Sequence, residues 1–144
     1  MQSFPHLYAA SARAGHEGEV TLESPGLPVL ASAAPTEFGG PGDRWSPETL
    51  LVGAVADCFV LSLRAVAQAS SLPFTSVACR AEGRLDRVER TTRFTEVVLR
   101  VELLLPADSD VAKAERVLEK AKTACLVSNS LVCPVHLEKS VRVA

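Results

Sequence analysis

Between residues 96 and 105 apolar and charged positions alternate. Val97, Leu99, Val101, Leu103 and Leu105 fall on one side of an extended chain, and Glu96, Arg100 and Glu102 on the other. Successive strand side chains point to opposite faces, so the run predicts a strand with one buried and one wet face. The preceding segment has the same period: Val77, Cys79, Ala81 and Leu85 oppose Arg80, Glu82, Arg84 and Asp86. Together the two segments are expected to form long antiparallel strands. Asp108, Ser109 and Asp110 then supply cap residues for a helix whose apolar positions Val111, Ala114, Leu118, Ala121 and Cys125 step by three and four. Residues 135–143, short and rich in valine, predict a closing strand.

Upstream, residues 19–23 and 28–32 read as short strands separated by Ser24, Pro25 and Gly26, a hairpin composition, and residues 7–12 add a further strand. Residues 34–46 gather proline, glycine and short polar residues into one loop. Ser46, Pro47 and Glu48 then give cap, first-turn proline and early acid, so a helix starts here and runs to about Ser71, ahead of Pro73. This helix is apolar nearly all round. A small domain can hardly bury it against one sheet face, and a partner surface is expected. A membrane span is not expected, because Asp57 and Arg64 interrupt the run and each charge at a bilayer centre costs about 2.5–3.5 kcal/mol. Strands, helix, strands, helix, strand is an α+β pattern, read as a single domain over residues 1–144.

The 144 residues carry 15 Lys+Arg scattered against 17 Asp+Glu, a formal net charge of −2, with no basic stripe for phosphates. Nucleic-acid binding is therefore disfavoured. The N-terminal stretch lacks a cationic region followed by an apolar run and a cleavage site, so the reducing cytoplasm is the expected compartment. In that setting Cys58, Cys79, Cys125 and Cys133 are read as thiols and not as a disulfide framework. Cys79, on the apolar side of a strand, is expected to be a core residue. Cys58 and Cys125 each lie on the apolar face of a helix, so they can meet if the helices cross. Burial alone raises a thiol pKa, and the helix dipole fades beyond the first turn. Reactivity then needs a cation, for which a guanidinium held by a carboxylate is suited. Cys125, Cys133 and His136 form an alternative zinc set, though their spacing fits no paired C-x2-C pattern. His6 and His16 are expected to be solvated.

The run Pro35-Thr36-Glu37-Phe38-Gly39-Gly40-Pro41-Gly42, followed by Ser46-Pro47-Glu48-Thr49-Leu50-Leu51 and Ala56-Asp57-Cys58-Phe59, resembles the OsmC/Ohr family of thiol peroxidases. It is nearest the organic hydroperoxide resistance branch. The family's second motif, a cysteine followed after two residues by serine and asparagine, is matched by Cys125-Leu126-Val127-Ser128-Asn129, with Leu126 in place of the usual proline. Arg13-Ala14-Gly15 occupies the place of the family's arginine, and Arg44 is the second candidate.

The resemblance implies an OsmC-like fold, with antiparallel sheets packed around a long central helix in an intertwined homodimer. It also implies roles: Cys58 as peroxidatic thiolate, Cys125 as resolving thiol, Arg13 as activating cation and Glu48 as its carboxylate partner. A hydroperoxide would oxidise Cys58 to a sulfenic acid, and Cys125 would condense with it to a disulfide. An external dithiol, lipoyl-type by the resemblance, would regenerate the pair; no metal, flavin or haem cofactor is required.

Leu51, Ala54, Val55, Phe59 and Leu61 around Cys58 suit an organic hydroperoxide better than hydrogen peroxide, and Cys133 is a second candidate for the resolving thiol. Asp57 is expected to point away from Cys58, about 100° round the helix. About 15 Å of straight helix separates Glu48 from Cys58. Either the helix breaks near Gly53, or Glu48 and Arg13 come from the second subunit. The competing reading is a non-enzymatic ligand-binding dimer on the same scaffold with structural cysteines.

Overall fold

In the computed structural model, which describes residues 1–144, the alternating run at 97–105 becomes the middle strand of a sheet. The elements in chain order are β1 (Ser11–Arg13), β2 (Val20–Glu23), β3 (Leu30–Ser32), a 3₁₀ turn at Thr36–Phe38, α1 (Pro47–Ala69), β4 (Ser76–Val88), β5 (Thr91–Leu105), α2 (Val111–Ala124), α3 (Leu126–Asn129) and β6 (Val135–Val143). They fall into two compact units, Met1–Leu50 and Leu51–Ala144.

In the C-terminal unit the sheet order is β4-β5-β6. β4 and β5 are antiparallel, whereas β6 lies parallel to β5, so this sheet is mixed and not wholly antiparallel. The cause is α2: a helix inserted between neighbouring strands returns the chain to the end from which it started. Val97, Leu99, Val101, Leu103 and Leu105 are all buried, as their alternation predicts. They share one apolar cluster with Val55, Phe59, Leu63 and Ala67 of α1 and Ala114, Val117, Leu118 and Ala121 of α2.

On the wet face, Arg100 Nε lies 2.9 Å from Glu138 Oε2, its register partner on β6. The alternation in β4 fails at its end. A register shift between Arg84 and Leu85 sets Arg84 opposite Glu96 but Leu85 opposite Phe94, leaving Thr95 as the extra residue of a bulge. Leu85, expected inward, is exposed in consequence.

α1 is long and apolar enough to cross a membrane by length and composition, yet its Val55, Phe59, Leu63 and Ala67 are buried at every fourth position in the core. It stops at Ala69, slightly before the expected end, because Ser71 takes a left-handed φ of 52°. The chain then folds back, and the Leu72 N–H donates to the Ala67 carbonyl at 2.9 Å.

In the N-terminal unit β1, β2 and β3 form an antiparallel sheet in that order. The first strand begins only at Ser11, later than expected. The loop after β3 packs tightly: a Cβ on Gly40 would stand 1.6 Å from the Ala34 carbonyl oxygen, so only glycine fits. Ser46 caps α1 as its sequence predicts. Its Oγ accepts from the Thr49 N–H at 3.1 Å, and Thr49 Oγ1 accepts from the Ser46 N–H at 2.9 Å, a reciprocal capping pair.

Candidate active site

Cys58 lies on α1 beside the buried Phe59 and is itself half-buried, packed against the core cluster. Cys125 is fully buried. The step of four from Ala121 places its side chain on the apolar stripe, but its backbone does not continue the helix. It adopts an extended conformation (φ −67°, ψ 102°), ending α2 and leading into α3. The corner is tied by its own residues: the Asn129 N–H donates to the Cys125 carbonyl at 3.0 Å, and Asn129 Nδ2 donates to the Thr123 carbonyl at 3.0 Å. That satisfies a carbonyl left over at the end of α2. The same turn brings Ser128 over the sulfur, and its hydroxyl donates to Cys125 Sγ at 3.2 Å.

Cys58 packs against the cluster that encloses Cys125, near enough for the two thiols to influence one another's ionisation, and both are free. Burial pushes the Cys125 thiol up first; donation from the Ser128 hydroxyl and N–H pulls it down; the neighbouring Cys58 adds to the rise. Cys58 Sγ also has Ser62 Oγ, one turn along α1, at 4.0 Å, a long contact. Cys79, on the inner face of β4 as expected, is pushed up to about 11 by burial and then by Cys125. Cys133 is buried in the same cluster, just before β6.

His136 faces the other way, with Nε2 3.6 Å from Glu96 on the exposed side of the sheet. Cys125, Cys133 and His136 therefore do not converge, and nowhere do three His, Cys, Asp or Glu side chains gather as metal ligands. Asp57 is exposed, turned from the core as expected.

Arg13 and Glu48 belong to the N-terminal unit. Arg13 projects from β1 and pairs with Glu23 of β2, so the expected Arg13–Glu48 pair does not form within the chain. The reason is local: Glu23 lies diagonally across the short hairpin and is already within reach. Arg44 pairs with Glu19 at 2.9 Å and Asp43 at 3.2 Å. Glu48 lines an apolar cavity of about 480 Å³ with Leu22, Phe38, Pro47 and Leu50. Its Oε2 is buried with no hydrogen-bond partner. α1 runs unbroken through Gly53, which removes the kink as a way of shortening the path along it.

Residues 40–139 match the sequence profile of the family described as OsmC-like protein. The chain belongs to the OsmC-like family. The matched span contains Glu48, Cys58, Cys125 and Ser128, while Arg13 lies outside it. Over 137 residues the chain is 28% identical to the uncharacterized protein YmaD of Bacillus subtilis, covering 92% of this chain and 91% of the relative. Over 126 residues it is 28% identical to peroxiredoxin OsmC of Escherichia coli, covering 88% and 87%. Among solved structures it superimposes on an organic hydroperoxide resistance protein OsmC from Legionella pneumophila with a TM-score of 0.76 at 28% identity, covering 96% and 98%.

Within the OsmC-like fold, the present chain brings together two free thiols, one half-buried and one enclosed. Neighbouring thiols in general can pass between dithiol and disulfide, a chemistry that asks for neither metal nor prosthetic group. Reasoning from sequence overlooked two of its neighbours. Ser128 stands three residues after Cys125, inside a motif already noticed, but only the break between α2 and α3 turns its hydroxyl onto sulfur. Cys79 carried no signal beyond its place on an apolar strand face.

Proposed function

We propose that this chain is a thiol-dependent peroxidase that reduces organic hydroperoxides to alcohols. The observation that carries the reading is the placement of two free thiols in one apolar cluster, Cys58 half-buried at its edge and accessible enough to meet a peroxide, Cys125 enclosed. Cys58 thiolate attacks the terminal peroxide oxygen, the O–O bond breaks, and the departing alkoxide takes a proton to become an alcohol. Cys58 is left as a sulfenic acid, which Cys125 converts to a disulfide with loss of water. An external dithiol of the lipoyl type reduces the disulfide in the cytoplasm. The aliphatic side chains near Cys58 favour a hydroperoxide with an apolar tail.

Arg13 supplies the cation that favours the Cys58 thiolate and the leaving oxygen, and Glu48 holds that guanidinium. The reading assigns both to the second subunit of a homodimer. Its support is the Glu48 carboxylate oxygen, buried and unpaired, which leaves it open to a guanidinium once the two subunits assemble the site. The reduced protein, given one equivalent of cumene hydroperoxide, is expected to lose two thiols per peroxide consumed, with peptide mapping joining Cys58 to Cys125. Cys58→Ser abolishes this, and Cys125→Ser stops at the sulfenic acid. Undiminished peroxide consumption by Cys58→Ser defeats the proposal, and a Cys58–Cys133 bond moves the resolving role to Cys133.

A further inference from the structure

We infer that Ser128 is a positioning residue for the disulfide-forming step, its hydroxyl holding the Cys125 sulfur as the nucleophile that closes on the Cys58 sulfenic acid. The inference rests on the peroxidase reading above and adds to it how a fully enclosed thiol becomes reactive. Closure needs the Cys125 sulfur with its proton removed. In the step, the Cys125 sulfur pair forms the S–S bond to Cys58 Sγ and the Cys58 S–O bond breaks. Hydroxide leaves and combines with the Cys125 proton as water. The Cys58 sulfur is reduced, the Cys125 sulfur is oxidised, and Ser128 stays neutral throughout.

Burial opposes this step, since a thiolate loses more hydration than a thiol on entering an apolar cluster. A hydrogen bond donated to the charged sulfur is the local counterweight, and donation to an ionised acceptor is the stronger kind. Ser128 Oγ is placed for it at 3.2 Å. The hydroxyl is aimed by a built corner: the Asn129 N–H on the Cys125 carbonyl, Asn129 Nδ2 on the Thr123 carbonyl, and the Leu131 N–H on the Ser128 carbonyl at 3.1 Å. Cys58 has no comparable donor, its nearest hydroxyl being Ser62 at 4.0 Å. The two thiols are thus served differently, and Ser128 acts on the second of them.

The test follows the two steps separately in the full chain after mixing with cumene hydroperoxide, trapping sulfenic acid with dimedone and counting disulfide by mass. In Ser128→Ala, Cys58 sulfenic acid is expected to accumulate and closure at pH 7 to slow about tenfold. The loss should shrink as the pH rises, because base removes the Cys125 proton without help. Ser128→Thr, which keeps the hydroxyl, is expected to close within about twofold of the native chain. Closure by Ser128→Ala at the native rate and with the native pH profile overturns the inference. So does slowing that is equal at every pH, or equal in the alanine and threonine variants, since that is the mark of a loosened corner. Failure of the native chain to consume peroxide overturns the peroxidase reading instead, and the two failures are distinct.

Discussion

A thiol held at about 11 on the inner face of β4 stays protonated where the same side chain in an unfolded chain ionises near pH 8.5, so Cys79 ties stability to pH. The sign follows from proton counts. Between those two values the unfolded chain has lost the Cys79 proton and the native chain keeps it, so stability falls as pH rises. The contribution is fully present below about pH 8.5 and is gone above the folded value. After allowance for the partial exposure of this residue, the loss across that window is about 1–2 kcal/mol. Urea unfolding of the reduced protein at pH 8 and pH 10.5 is expected to show that loss in the native chain, and a smaller one in Cys79→Val. Equal slopes in both would mean that burial does not hold the Cys79 proton. Cys125 follows the same direction, but Ser128 pulls against burial there. The two thiols are thus given opposite tasks by one hydroxyl: Cys79 remains a packing residue, and Cys125 can be drawn into chemistry.

At the scale of elements, Gly83 of β4 is closely covered by side chains from α1 and β5. A Cβ there would stand 2.6 Å from Val52 Cγ1 and 2.8 Å from the Phe94 ring, and Val52 has little rotamer freedom in a helix. Gly83→Ala is expected to cost about 1–3 kcal/mol by overpacking, read as a lower denaturant midpoint with unchanged slope. An unchanged midpoint would show that the strands and helix part at no cost. The inner face of β5 was legible from period alone, because every second residue must face one side whatever the partner strands do. The capped start of α1 was equally plain, since Ser46 and Pro47 act on their own backbone, though the reciprocal bond to Thr49 was not. Leu85 was not legible: a bulge changes which face a residue takes without changing the local composition. Nor was the parallel setting of β6, which depends on how the chain returns through α2. Cys125 was half legible, its burial encoded by the step of four, while its role as a corner depends on hydrogen bonds from Asn129. Arg13 was the reverse, a motif position whose partner within the chain, Glu23, is fixed by hairpin register.

For the whole molecule, the unanswered surfaces point to a second copy. α1 buries Val55, Phe59, Leu63 and Ala67, yet Leu61, two residues on from Phe59 and about 200° round the helix, is 54% exposed. A helix this apolar on its free side gains by covering it, at about 25 cal/mol for each Å² removed from water. The Glu48 oxygen left without a donor costs a further 1–3 kcal/mol, roughly, for as long as no partner reaches it. Both deficits vanish together if the free side of α1 meets its copy and assembly of the site brings the Arg13 guanidinium onto Glu48. Light scattering is then expected to give twice the 15.3 kDa chain mass, with a melting temperature that rises with protein concentration. Leu61→Glu places a charge on the proposed contact while touching no buried residue, so it should yield folded monomers. If Arg13 and Glu48 serve the neighbouring Cys58, those monomers should also oxidise Cys58 at least about tenfold more slowly, since a charge-assisted hydrogen bond is lost with the interface. Monomers as reactive as the native protein would place the activating cation within a single chain, and Arg44→Ala would then be the variant to compare.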